Sequence, residues 1–262
     1  MTAFVCIAVP HFIGQKLDYR TETEEIRVSG FPERINATWV EIEPDFSRFG
    51  DPVVAVNQAI VEAMQAHSGR FPIVLAADCV SAIGAIKGLG RDDLNVVWYD
   101  AHGDFNTPET TPSGFLGGMP LAALVGRGNQ NLLEGVGLEP LPEQRIIITD
   151  ARDLDPEEGE NLHASGLKVL AQVEDLLSIP LSAGPLYIHL DVDILDPEYM
   201  PALNYPAPGG PDLTTVNATL RYLAENANVA GLLVSLWNAD KAPDSSPRDN
   251  TLQMVHAVID HL

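Results

Sequence analysis

Basic residues are scarce in this 262-residue chain. Lys and Arg together number 15 against 37 Asp and Glu, which gives a formal net charge of -22 at pH 7. Lysine occupies four positions: Lys16, Lys87, Lys168 and Lys241. A surface this negative repels phosphate backbones and anionic lipid, so no nucleic acid and no membrane is expected among the partners. It attracts small cations, whether metal ions or guanidinium-type molecules, and it keeps the chain colloidally dispersed. Cysteine is also nearly missing: Cys6 and Cys79 lie far apart, which excludes a disulfide framework and fits a reducing, cytoplasmic setting. No run of about 18 apolar residues exists, so no membrane-spanning helix is expected. The start, Met1-Thr2-Ala3-Phe4-Val5-Cys6, lacks the charged region and long apolar stretch of a secretion signal. There is no internal repeat, no low-complexity tract and no compositional break.

What remains is an ordinary globular composition, 45% apolar and 20% charged. At this length it suits a single domain over residues 1–262. Short apolar runs recur at 4–10, 72–77, 94–99, 145–149, 186–190 and 230–236, nearly continuous in apolarity, as strands buried on both faces are. Helical spacing lies between them at 53–66, 81–87, 116–125 and 213–227, with Asp212 or Thr214 placed to cap the last, and a final helix is expected over 251–261. Alternation of this kind predicts an α/β fold with a mostly parallel sheet covered on both sides. The segment from Gln15 to Ser47 is the least regular and reads as a long loop or lid.

The carboxylates fall where the strands end. The run Leu94 to Tyr99 leads into Asp100-Ala101-His102-Gly103-Asp104, Leu186 to Leu190 into Asp191-Val192-Asp193, and Ile73 to Ala77 into Asp78-Cys79. In an open parallel sheet these ends share one edge, so side chains distant in sequence converge on one crevice. Asp100, His102 and Asp104 alternate and would share a face, as would Asp191 and Asp193. Packed together, such carboxylates repel unless cations neutralise them. An oxygen-rich set with one imidazole suits a divalent ion, Mn²⁺ ahead of Zn²⁺, and two ions bridged by shared carboxylates would hold a hydroxide at neutral pH. A single Asp after a strand is ordinarily a cap or turn residue; Asp-x-His-x-Asp and Asp-x-Asp together are not explained that way.

At these positions the chain resembles the ureohydrolase family of arginases and agmatinases. The resemblance is carried by Trp98 through Gly114, by Asp191-Val192-Asp193-Ile194-Leu195-Asp196-Pro197, by Pro201-Ala202 and by Pro208-Gly209-Gly210, in matching order from about Pro72 to Pro243. It implies a three-layer α/β/α arginase-like fold, a binuclear Mn²⁺ centre and attack of metal-bound hydroxide on a guanidino or amidino carbon, the work of an amidinohydrolase. Asp100 and Asp191 would bridge two ions, Asp104 would complete one site, and His102 with Asp193 the other. Asn106, Thr111 and Ser113 stand where arginases hold an α-carboxylate, and Asp155 where they hold the α-amino group. Asn106 and Ser113 also read as loop formers, and Asp155-Pro156-Glu157-Glu158 as an acidic helix start. The family's usual trimers or hexamers imply a homo-oligomer, and a smaller one here because no long C-terminal tail is expected.

Departures from the family pattern set the expected substrate. Cys79 replaces a metal-binding His; as a ligand it would favour Zn²⁺, Fe²⁺ or Co²⁺, and otherwise it is a small buried residue. Cys6 is assigned to the core. Gly117 stands where arginases place a proton-transferring His, leaving Asp104 to relay the proton to the departing amine. Asp240 falls at the position of a guanidinium-gripping Glu, Trp237 replaces an Asp, and Tyr205 replaces a Thr. Cys79, Gly117 and the stretch Phe105-Asn106-Thr107-Pro108-Glu109-Thr110-Thr111 together resemble a divergent branch similar to the Nω-hydroxyarginine amidinohydrolases, which release hydroxyurea. The alternatives are an ordinary arginase, agmatinase or formimidoylglutamase, and a degenerate homologue that binds metal or regulates without catalysis.

Overall fold

The expected parallel sheet dominates the structure, a computed structural model that describes residues 2–17 and 21–262. Its strands are β1 (Phe4–Val9), β2 (His11–Phe12), β3 (Gln15–Lys16), β4 (Thr38–Glu41), β5 (Phe71–Ala76), β6 (Asn95–His102), β7 (Ile146–Asp153), β8 (Lys168–Leu170), β9 (Pro185–Asp191) and β10 (Asn228–Ser235). Eight of them form one sheet in the order β4-β1-β5-β10-β9-β6-β7-β8, and every neighbouring pair is parallel. The remaining two, β2 and β3, pair as a short antiparallel hairpin.

Helices cover both faces: α1 (Glu22–Val28), α2 (Phe31–Arg34), α3 (Pro52–Ala66), α4 (Ala82–Leu89), α5 (Pro120–Leu124), α6 (Asn131–Val136), α7 (Pro156–His163), α8 (Leu213–Asn226) and α9 (Ser246–Ile259). Alternate strand residues divide the core in two. Tyr99, Ile188 and Leu190 pack with Leu220 of α8 and Val255 of α9, whereas Trp98, Tyr187 and Leu233 pack with Ile60 of α3 and Ile86 of α4. This makes three layers, and it explains the continuous apolarity of the inner strands: each buries both faces. Helix starts follow their caps. Asp51 accepts from Val53 N (2.8 Å) ahead of Pro52, and Asp212, rather than Thr214, accepts from Thr215 N (2.7 Å).

Three segments differ from expectation. Gln15 to Ser47 is not one loop or lid; its described part holds β3, α1, α2 and β4, and β4 forms a sheet edge on β1. That strand has four residues, three half-buried and one exposed, too few to print a pattern. The stretch 116–125 is a 3₁₀ turn followed by α5, because Pro120 starts a new helix rather than continuing the old one. The last helix begins at Ser246, with Pro247 in its first turn. No described helix is long and apolar enough to cross a membrane.

Candidate metal centre

The carboxyl ends of β5, β10, β9 and β6, adjacent at the middle of the sheet, open into a cavity of about 480 Å³. Its floor is lined by Cys79, Asp100, His102, Asp104, Asp191 and Asp193, all six of the ligands expected from sequence. Their atoms form two groups able to grip an ion. In one, Cys79, Asp100, Asp104 and His189 each offer an atom within 4.8 Å of the others; in the second, Asp100, His102 and Asp193 do the same. Asp100 belongs to both. Asp191 joins neither set but lies beside the first, its Oδ2 accepting from Cys79 Sγ at 2.9 Å.

Backbone geometry aims these groups. Strand β6 slips register against β7 after Asp100, where Asp150 and Ala151 have φ of 76° and 43°. The slip lets Asp100 Oδ1 accept from His102 N (2.7 Å) and brings Ala101 N to Asp193 Oδ1 (3.1 Å). Asp104 has φ of 50°, a left-handed conformation that is uncommon outside glycine and turns its carboxylate inward. Gly103 beside it is required, since a Cβ there would lie 2.7 Å from Glu158 Oε1. Buried Glu158 accepts from Phe105 N and Asp155 N, which ties the loop after β6 to the start of α7. Arg152 braces the far side, bonding Asp150 and the carbonyls of Asp193, Ile194 and Ala207. Asp78 does not reach for an ion; its carboxylate caps Ser81 N and accepts from Ile13 N, fixing the hairpin beside the cavity.

The electrostatics are those of crowded acids. Burial first, and then the charge of Asp193, push Asp191 up to about 7. Burial and the Asp100 charge push Asp193 up to about 6. Asp100 and Asp104 are raised by burial and by their acidic neighbours. The Cys79 thiol is raised by burial and then by Asp191, Asp104 and Asp100. Burial pulls His102 down, but hydrogen bonds to Asp100 and Asp193 and their charges outweigh it and lift it to about 12. Its Nδ1 sits 2.9 Å from Asp193 Oδ2. A divalent cation among these groups would relieve the crowding that raises them. The donor set also leaves atoms unanswered: Asp104 Oδ2 and both ring nitrogens of His189 are buried without a hydrogen-bond partner. Sulfur, nitrogen and carboxylate oxygen converging on such atoms fit a divalent ion.

Above the floor the walls are loops. Asn106, Thr111, Ser113 and Asp155 all line the cavity. Asn106 donates to Asp155 Oδ2 (3.0 Å) and accepts from Thr110, while the hydroxyls of Thr111 and Ser113 cap the turn leading to Phe115. Phe12, Phe115 and Tyr205 form an aromatic side, with Phe115 centred 6.2 Å from Phe12 and 5.4 Å from Tyr205. Phe115 also fills the space of any side chain at 117: a Cβ on Gly117 would stand 2.3 Å from its ring.

One expected site residue is corrected. Asp240 does not line this cavity. It is exposed in a separate recess with Glu25, Asp244 and Arg248. Beyond Ser235 and Leu236 the chain turns away through Asn238, whose Oδ1 accepts from Asp240 N, and Trp237 goes into the core. One residue was missed. His189 sits inside the apolar run of β9, two positions before Asp191, and that even spacing within a strand was the available signal.

The chain matches the arginase family model over residues 34–236. It is 30% identical over 227 residues to the arginase of Bacillus caldovelox, covering 80% of this chain and 75% of that protein. With the arginase of Bacillus subtilis (strain 168) it shares 35% identity over 174 residues, 60% of this chain but only 59% of that protein's length. Its fold superposes on the native structure of the Bacillus caldovelox arginase with a TM-score of 0.86, at 24% identity and 98% coverage of both chains.

Proposed function

The chain belongs to the arginase family, and on that premise we propose that it hydrolyses a C–N bond of a guanidino amino acid, Nω-hydroxyarginine in preference to arginine, releasing hydroxyurea and the amine. The observation that supports the reaction class is Asp100, one carboxylate shared by two ligand groups on the floor of a cavity. Two divalent ions, manganese by family resemblance, would be held by Cys79, Asp100 and Asp104 on one side and by Asp100, His102 and Asp193 on the other, with Asp191 available beside Cys79. When bound, they supply Lewis acidity toward water and the guanidino group.

The chain's own residues do the rest. Asp104, buried with one free oxygen, takes a proton from the attacking water and holds it at Oδ2 for the departing amine. His102 is committed to Asp193, and Phe115 occupies the place of a side chain at 117, so neither delivers that proton. A weakly basic hydroxyguanidine needs less acid assistance to become an electrophile than a guanidine does, which is why it is the preferred substrate. Asp155 binds the substrate's α-amino group, while Asn106, Thr111 and Ser113 meet its α-carboxylate through neutral donors. The aromatic side formed by Phe12, Phe115 and Tyr205 keeps water from that side of the reacting carbon.

The test offers the manganese-loaded protein arginine, Nω-hydroxyarginine, agmatine and formiminoglutamate in parallel, with urea, hydroxyurea and formamide measured by mass spectrometry. Hydroxyurea as the dominant product is expected. Urea from arginine at an equal or greater rate would overturn the substrate assignment, and no product from any of the four despite bound metal would overturn catalysis.

A further inference from the structure

His189 interrupts the apolar run of β9 with an imidazole that is 0% exposed. Neither of its ring nitrogens has a hydrogen-bond partner. Its ring lies flat on Trp98, centroids 3.5 Å apart and planes 14° from parallel. The two residues are register partners on adjacent strands, one step below Asp100 and Asp191 on the same face. A ring atom of His189 lies within 4.8 Å of ligating atoms of Cys79, Asp100 and Asp104, and those atoms lie equally close to each other. Asp104, in the same group, also has a buried oxygen, Oδ2, without a partner. Unpartnered polar groups in a buried setting are costly, and here they belong to residues of one ligand group. A cation placed among the four groups satisfies both residues together.

We propose that His189 is a direct metal ligand, completing a site of Cys79, Asp100 and Asp104. The inference rests on the reading above that the centre holds divalent ions. The imidazole expected at position 79 is thereby supplied from inside β9, and Cys79 and His189 are two halves of one rearrangement. The donors at this site are one sulfur, one nitrogen and two carboxylates, softer than the oxygen-rich set of His102, Asp193 and Asp100. The two ions are therefore unlike in preference: Zn²⁺, Fe²⁺ or Co²⁺ gains most at the His189 side, and Mn²⁺ competes best at the His102 side.

The experiment loads the full chain with Co²⁺ alone and counts ions per chain after desalting, in the wild type, in His189→Phe and in His102→Ala. Phenylalanine keeps an aromatic ring on Trp98, and circular dichroism checks the fold. Two ions are expected in the wild type and one in each variant. The ion lost from His189→Phe should be weakened by more than the roughly 10–100-fold that follows loss of a residue merely orienting a ligand. X-ray absorption of His102→Ala should show sulfur and imidazole around the same remaining ion, a measurement that decides the matter even if His189→Phe does not fold. Two ions held with unchanged affinity by His189→Phe, or sulfur without imidazole in His102→Ala, would overturn the assignment and leave the binuclear reading standing. A wild type that holds no cobalt would overturn both.

Discussion

The floor of the cavity and its walls are built from different materials. The floor is acidic and carried on ends of parallel strands or the residues that immediately follow them; the sheet fixes its positions, and one bulge and buried hydrogen bonds aim its carboxylates. The walls are mostly neutral or aromatic, with Asp155 an acidic exception, and are carried on loops, where hydroxyls order the turns and Phe115 takes the room of a missing side chain. The difference teaches where reaction class and selectivity are stored. Chemistry that needs several charges at fixed spacing belongs on the sheet, and discrimination among related guanidino compounds belongs on segments that can change without moving it.

The severest test of this division is Asp100→Asn. One substitution on the floor should weaken ion binding on both sides and lower turnover by well over the roughly 10–100-fold typical of an outer neighbour. Steady-state kinetics and metal counting check it. If one ion stayed bound at full affinity, the floor would not be a single shared unit.

Removing metal should expose the floor's charge as a pH dependence of stability. The folded carboxylates hold protons that the unfolded chain releases above about pH 4, since Asp191 is raised to about 7 and Asp193 to about 6. The folded state thus binds more protons across that window, and stability falls as pH rises through it. His102, raised from 6.5 to about 12, adds stability that is full below about 6.5 and wanes above, so both slopes share a sign. Thermal melts of the metal-free protein should drop between about pH 5 and 8, and saturating Mn²⁺ should flatten the drop.

On the walls, Gly117→His alone should destabilise by about 1–3 kcal/mol, because its Cβ meets the Phe115 ring. Adding Phe115→Ala should recover the loss and move the ratio of arginine to Nω-hydroxyarginine turnover toward arginine. A ratio unmoved by the double variant would show that the walls do not set selectivity. The smallest effect is expected from Asp240→Asn, which lies outside the cavity and should leave kcat/KM unchanged and stability within about 0.5 kcal/mol.

Most of the floor was legible because a buried parallel strand spells an apolar run and its end is marked by the first charges. Asp100, His102, Asp104, Asp191 and Asp193 needed only that rule and a shared sheet edge. His189 was less legible, since an imidazole inside such a run looks like an ordinary core residue until its orphaned nitrogens are seen. Asp240 was misplaced because a strand's exit direction depends on a local turn, here the one Asn238 caps, which spacing does not encode. Strands β4 and β8 were missed for lack of length: four and three residues are too short to show a pattern. The contact between Phe115 and Gly117 depends on loop conformation and carries no periodic signal at all.

Trp98 lies in the layer beneath all this, flat against His189 and donating from Nε1 to Asp100 Oδ2 at 3.1 Å. Of the chain's three tryptophans, Trp39 is half-buried near a sheet edge and Trp237 is enclosed in the opposite core layer, so neither stands against the acidic floor. The indole at 98 is consequently a built-in optical gauge: its emission colour and lifetime will follow whatever charge settles on Asp100 and His189. Filling of the proposed centre should therefore be readable by ultraviolet light alone, with no dye, label or substrate.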